Sequence, residues 1–111
     1  MNRQNRLRSS REFKRLFSAG KRAVSGPILC VAKPGDDGEV TKVGFVVTRK
    51  VGGAVERNHV KRLLRESARH LIGRIKPGSQ VILMARGPMP DRNFQHITRA
   101  VETAMGKAGV L

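Results

Sequence analysis

The sequence predicts an α/β fold of the α+β sandwich kind: one central sheet with packed helices, in a single small domain. Three observations predict it. The chain has 111 residues, near the usual size of one domain, and its 39% apolar content can build a modest core. Short runs rich in branched residues, with the period of strands, alternate with segments whose apolar residues recur every three or four positions. Their order, α-β-β-(β)-α-β-α, suits helices packed on one sheet. No internal repeat, low-complexity tract or linker divides residues 1–111, and residues 1–8 are expected to form a flexible basic N-terminus.

Ser9-x-x-Glu12 has the spacing of a capping box, in which the two residues satisfy each other's backbone N–H groups. Behind it Phe13, Leu16 and Phe17 recur at helical spacing and Gly20 suits a stop, giving a helix over about residues 10–18. A short extra strand fits near residues 21–25. "PILCVAK" (27–33) and "TKVGFVVT" (41–48) read as strands joined by the turn-like "PGDDGE". "VGG" leads into a long helix over about residues 54–73, closed by Gly73. Lys76-Pro77-Gly78 is a turn, "QVILMA" (80–85) a continuously apolar strand and "RGPMPD" a loop. Asp91 is placed to cap a final helix carrying Phe94, Ile97, Val101 and Met105 on one stripe.

Charge narrows the function. Lys and Arg total 23 against 8 Asp and Glu, a net charge of +15. Self-repulsion of that size opposes folding, so the partner expected is a polyanion: nucleic acid first, an anionic membrane surface second. Asp36, Asp37 and Glu39 sit together, which leaves the rest still more basic. The single cysteine, Cys30, excludes an internal disulfide and any Cys-pair metal site; in "ILCVA" it reads as a buried thiol in a reducing compartment. The N-terminus has no apolar run of a secretory signal, and no stretch approaches the ~20 apolar residues of a membrane span. A cytoplasmic location without a membrane partner or an obligate protein partner is expected.

The densest charge lies in "RNHVKRLLRE", residues 57–66. At about 100° per residue, Arg57, Lys61, Arg65, Arg69 and Arg62 share one arc with Asn58, opposed to Val60, Leu63, Leu64, Ser67 and Leu71. A merely solvated face mixes signs, because acid–base pairs four apart stabilise a helix. Here Lys61 follows Arg57 and Arg65 follows Lys61 at that spacing, so like charges repel. Arginine suits bidentate phosphate contacts, and Asn58 can donate to a phosphate, a 2′-hydroxyl or a base edge. Arg49 and Lys50 add cations before the helix; Arg3, Arg6, Arg8, Arg11, Lys14 and Arg15 add more at the N-terminus. Phe13 and Phe17 beside those cations suit either the core or base stacking. No catalytic constellation is evident: no acid pair stands out as catalytic, and His59, His70 and His96 lack metal-ligand spacing. "KVGGAVERN" lacks the Gly-Lys-Ser/Thr ending of a phosphate-binding P-loop.

"VGFVVTRKVGGAVERNHVKRLLRE" resembles the strand, loop and signature helix of the protein subunit of bacterial ribonuclease P. Arg57, Asn58, Lys61, Arg62 and Arg65 match its Arg-Asn-x-x-Lys-Arg-x-x-Arg pattern. "NRLRSSREFKRLFSAGKR" is similar to the family's opening helix and "VILMARG" to its late strand. The resemblance implies a left-handed βαβ crossover, whereas general experience of such crossovers, right-handed in about 98% of cases, predicts the other hand. It implies an endoribonuclease holoenzyme that removes 5′ leaders from precursor tRNA. The catalytic RNA would carry the chemistry and hold most of the Mg2+, and no side chain of this chain is singled out as catalytic or metal-binding. Arg49, Lys50, Arg57, Asn58, Lys61, Arg62, Arg65 and Arg69 would then bind the RNA subunit. Phe13, Lys14, Phe17, Cys30 and Val47 would line a cleft for the precursor-tRNA leader. Two departures stand out: His59 where many members carry another basic residue, and Cys30 where an aromatic is common on the cleft strand. A structural or ribosomal RNA-binding protein accounts equally well for size, charge and fold class, and differs only in lacking the signature. A DNA-binding regulator would need a second helix at helix-turn-helix spacing before residue 54, and the sequence has none. A membrane-surface helix would need the apolar stripe that the core takes.

Overall fold

The first helix begins where the capping box places it. In the structure, a computed structural model that describes residues 3–36 and 38–111, the Ser9 hydroxyl accepts from the Glu12 amide (3.1 Å) and Glu12 Oε1 accepts from the Ser9 amide (3.3 Å). Helix α1 runs Ser10–Ala19. Its start is tied to the sheet because Glu12 Oε2 also receives the Lys42 ammonium at 3.0 Å.

Four strands form one sheet: β1 (Lys21–Ser25), β2 (Ile28–Lys33), β3 (Lys42–Val47) and β4 (Gln80–Ala85), in the order β1-β2-β4-β3. β1 and β2 form an antiparallel hairpin, β2 pairs antiparallel with β4, and β3 runs parallel to β4. The connection through "PGDDGE" therefore closes no hairpin, since β4 lies between β2 and β3; Asp37 of that stretch lies outside the described residues. Helix α2 (Ala54–Leu71) bridges the parallel pair, as a crossover must, and α3 (Phe94–Lys107) follows β4.

Both faces of the sheet are covered, which explains the continuously apolar "ILCVA" and "VILMA" runs. On one face Ile28, Cys30, Ala32, Leu83 and Ala85 pack against Val60, Leu64, Ala68 and Leu71 of α2 and Ile97, Val101 and Met105 of α3. On the other, Leu29, Val31 and Ile82 are covered by Leu16 of α1 and by Leu7, with Phe13, Phe17, Val46 and Met84 half-buried around them. The apolar side of α2 falls as the wheel predicts: Val60, Leu64, Ser67 and Leu71 are buried and Leu63 is partly so. Ser67 satisfies its hydroxyl against Thr98 of α3 at 2.9 Å.

The structure departs from expectation at three places. Of the tail expected to be flexible over residues 1–8, residues 3–8 are anchored; residues 1 and 2 lie outside the described residues. Leu7 is buried, its amide donates to Val43 O (3.1 Å), and Asn5 donates to Thr41 O (2.8 Å). One apolar residue and an unoccupied strand edge suffice to hold it. Helix α2 stops at Leu71 and tightens into a 3-10 turn over Ile72–Arg74 that passes Gly73. The cap of α3 is Asn93, which accepts from the His96 amide at 3.1 Å. Asp91 lies two residues too early and instead accepts from the Asn93 amide and pairs with His96.

The Lys42 hydrogen bond, then the Ser9 amide, hold the Glu12 carboxyl below the ordinary glutamate range. A carboxylate with a depressed folded-state pKa stabilises the fold above its unfolded value, and the contribution disappears as pH falls through the folded value. Thermal stability should therefore fall on acidification below about pH 4.5, and Glu12→Gln should flatten that part of the profile. Melting curves of the two proteins from neutral pH into acid decide it, and parallel profiles would remove Glu12 from the account.

Candidate nucleic-acid interface

Helix α2 presents its cations outward because its other side is committed to the sheet. Lys61, Arg62 and Arg69 are exposed and Arg57 and Arg65 half-buried; Asn58 and His59 are exposed between them. Only Arg69 has an acidic partner, Glu66 at 2.9 Å, among the described residues. Arg49 and Lys50 are exposed on a 3-10 turn (Arg49–Val51) between β3 and α2.

Two grooves organise these charges. A groove of about 280 Å3 is lined by Val47, Ala54, Arg57, Asn58 and Lys61. Arg57 Nε is buried without an acceptor from the described residues, and Thr48 Oγ1 is likewise unpartnered. Leaving a charged donor desolvated and unpaired costs about 1–3 kcal/mol or more, a cost that a phosphate oxygen would remove. A second groove, of about 390 Å3, lies along the outer edge of β3, where the N-terminal segment is bound. Arg6 and Arg8 approach from the N-terminal segment and Lys61 and Arg65 from α2, with Phe13, Gly44 and Phe45 between them. Among the described residues no acid lines either groove, and Lys61 belongs to both. The Arg65 guanidinium lies 6.0 Å from the Phe45 ring centroid, within cation–π range.

Phe13 reaches this groove because residue 44 has no side chain: a Cβ at Gly44 would stand 2.5 Å from the Phe13 ring. Phe17 lies one turn farther along α1, half-buried, with the Arg22 guanidinium 5.6 Å from its ring centroid. Lys14 is exposed on the same helix. The surface between α1 and the sheet therefore combines two half-open rings with cations.

Two residues expected on that surface are elsewhere. Cys30 is fully buried against the α2 and α3 side, and Val47 packs on that same side and lines the Arg57 groove. The pleat sends alternate residues to opposite faces, so Val31 and Val46 share the α1 face instead. Because β2 and β3 are apolar on both faces, their pattern carries no signal for which residue points which way. Arg6, Arg8 and Phe45 were not expected to converge with Lys61 and Arg65; nothing local in the sequence links the N-terminal segment to the edge of β3.

The described residues contain no group of three or more His, Cys, Asp or Glu that could hold a metal ion, and no helix long and apolar enough to cross a membrane. The ribonuclease P family model matches residues 1–109. A ribonuclease P protein component from Beutenbergia cavernae is 38% identical over 106 residues, covering 96% of this chain and 89% of that protein. One from Shouchella clausii is 31% identical over 111 residues, covering 100% of this chain and 91% of that protein. Among solved structures, the fold is similar to the ribonuclease P protein of Staphylococcus aureus (TM-score 0.83, 24% identity, 96% of each chain). It is also similar to that of Thermotoga maritima (TM-score 0.76, 25% identity, 92% of this chain and 96% of that one).

The position of Cys30 has a direct chemical consequence. Burial pushes its thiol up to about 12, so the nucleophilic thiolate is scarce near neutral pH. Iodoacetamide should leave the folded protein unmodified and label it fully in denaturant. Rapid labelling of the native protein would put Cys30 back on an open surface.

Proposed function

This chain belongs to the ribonuclease P protein family, an RNA-binding component of a tRNA-processing endoribonuclease, and from that premise we propose which RNA each of its surfaces takes. The α2 arc, with Arg49, Lys50, Arg57, Asn58, Lys61, Arg62, Arg65 and Arg69, binds the catalytic RNA subunit in the cytoplasm. The α1 side of the sheet, with Phe13, Lys14 and Phe17, receives the 5′ leader of precursor tRNA; Val31 and Val46 take the strand positions that Cys30 and Val47 do not.

The observation that carries this reading is the acid-free β3-edge groove, where cations from the N-terminal segment and from α2 surround Phe13. It joins a face suited to folded RNA backbone to a face suited to a single strand. Backbone contacts by Arg and Lys position an RNA without reading its sequence. Half-open aromatic rings accept unstacked bases, which a single-stranded leader can supply.

Hydrolysis is assigned to the catalytic RNA. Mg2+ prefers several hard oxygen ligands, and the described carboxylates are not grouped to supply them, so RNA phosphates would hold it. The protein's share is positioning and charge: it lowers the repulsion between two polyanions and fixes the leader relative to the cleavage site. Cleavage of a precursor tRNA by a bacterial ribonuclease P RNA at low Mg2+ should accelerate when this protein is added. No acceleration, with RNA binding intact, would leave an RNA-binding protein without a processing role.

Neutralising Arg57, Lys61 or Arg65 singly should weaken binding to the catalytic RNA and flatten its salt dependence. The log–log slope should change by about 0.7–0.9 for each phosphate that is no longer neutralised. Unchanged slopes in all three variants, with melting temperatures preserved, would return α2 to a merely solvated face.

Phe17→Ala should cost about 1–3 kcal/mol of precursor affinity if its ring stacks on a leader base. The loss should appear with a leader of several nucleotides and vanish with a single-nucleotide leader. Equal loss for both precursors, together with a lowered melting temperature, would show Phe17 acting as core.

A further inference from the structure

A groove of about 580 Å3 lies between the end of α2 and the start of α3, on the helix layer and away from both α1 and the β3 edge. It is lined by His70, Phe94, Gln95, Thr98, Arg99 and Glu102. The periodicity of α3 puts Phe94 on the buried stripe, yet Ile97, Val101 and Met105 are buried while Phe94 stays half-exposed. The sequence contains four Phe and neither Tyr nor Trp, so aromatic rings are few. This one lines a groove rather than filling the core. His70 meets it edge-on, with centroids 5.3 Å apart and planes at 66°. A T-shaped contact of this kind leaves a ring face open.

The local charge favours an anion. Both nearby acids are engaged, Glu102 by Arg74 and Glu66 by Arg69. Arg99 has no acidic partner among the described residues. Arg69 of the α2 arc and His70 of the groove are consecutive and so about 100° apart around α2, which puts the groove beside the cation arc rather than within it. Gln95 adds an exposed amide that can donate and accept at a base edge.

We propose that this groove holds one unpaired nucleotide of the RNA partner, its base stacked on Phe94 beside His70 and its phosphate against Arg99. The site rests on the assignment of α2 to the catalytic RNA and extends that footprint onto α3. Stacking is insensitive to base identity because every base has a π-face, so the nucleotide is defined by being unstacked rather than by its sequence.

Four variants titrated with a bacterial ribonuclease P RNA test it: Phe94→Leu, Phe94→Tyr, Arg99→Gln and, as a reference, Lys61→Gln. Phe94→Leu should weaken binding about five- to a hundredfold while Phe94→Tyr binds as the parent does. Arg99→Gln should flatten the salt slope by about 0.7–0.9. Ultraviolet irradiation of the parent complex, with adducts mapped by mass spectrometry, should place a nucleotide on the peptide containing Phe94, a readout that does not depend on how any variant folds. Full affinity in Phe94→Leu, or adducts confined to α1 and α2, would overturn the site. If Lys61→Gln also binds fully, the α2 assignment falls with it; if Lys61→Gln alone weakens binding, only the α3 site falls.

Discussion

The parallel pairing of β3 with β4 is the constraint from which the rest of the molecule follows. A parallel neighbour cannot be reached through a tight turn, so the chain must leave the sheet and return, and α2 is that return. The pairing also puts β3 at the edge of the sheet, with β4 on one side and an open backbone on the other. The N-terminal segment uses that opening: Arg6 bridges Val43 and Leu7 is buried beside it. Cations distant in sequence thus converge on one strand edge, which is the structural cause of the groove that Arg6, Arg8, Lys61 and Arg65 share.

Holding so much like charge together has an energetic cost that the core offsets. Each like-charged pair four residues apart on α2 costs about 0.2–0.5 kcal/mol. Burying one leucine such as Leu64 contributes about 1.5–3 kcal/mol. The helix can therefore carry an arc almost free of acids because its opposite side is fully packed. The unpartnered Arg57 Nε belongs to the same balance, a desolvated donor whose best complement is an anion brought by another molecule.

The two faces of the sheet are unequally covered. The α2 and α3 side contains the larger core, and the solvent side of α2 carries the cation arc proposed to meet the RNA subunit. The α1 side has a smaller core, leaving Phe13, Phe17, Val46 and Met84 only half-covered. Under the proposed leader assignment that partial cover is an advantage, since complete burial of those rings would remove the faces on which bases could stack.

Much of this was legible in the amino-acid sequence. The capping box, the strand at 80–85, the apolar side of α2 and the concentration of cations on its other side are local or periodic properties, and local rules determine them. The family signature is likewise a matter of spacing within one strand, loop and helix. What the sequence left open was non-local. It did not decide that β4 inserts between β2 and β3, that residues 3–8 hold the edge of β3, or that Gly44 admits the ring of Phe13. Nor did it decide which residues of β2 and β3 face α1, and so Cys30 and Val47 were expected on the wrong side. A strand apolar on both faces has no polar residue to mark its orientation; only the packing of α1 on one face and α2 with α3 on the other breaks that symmetry.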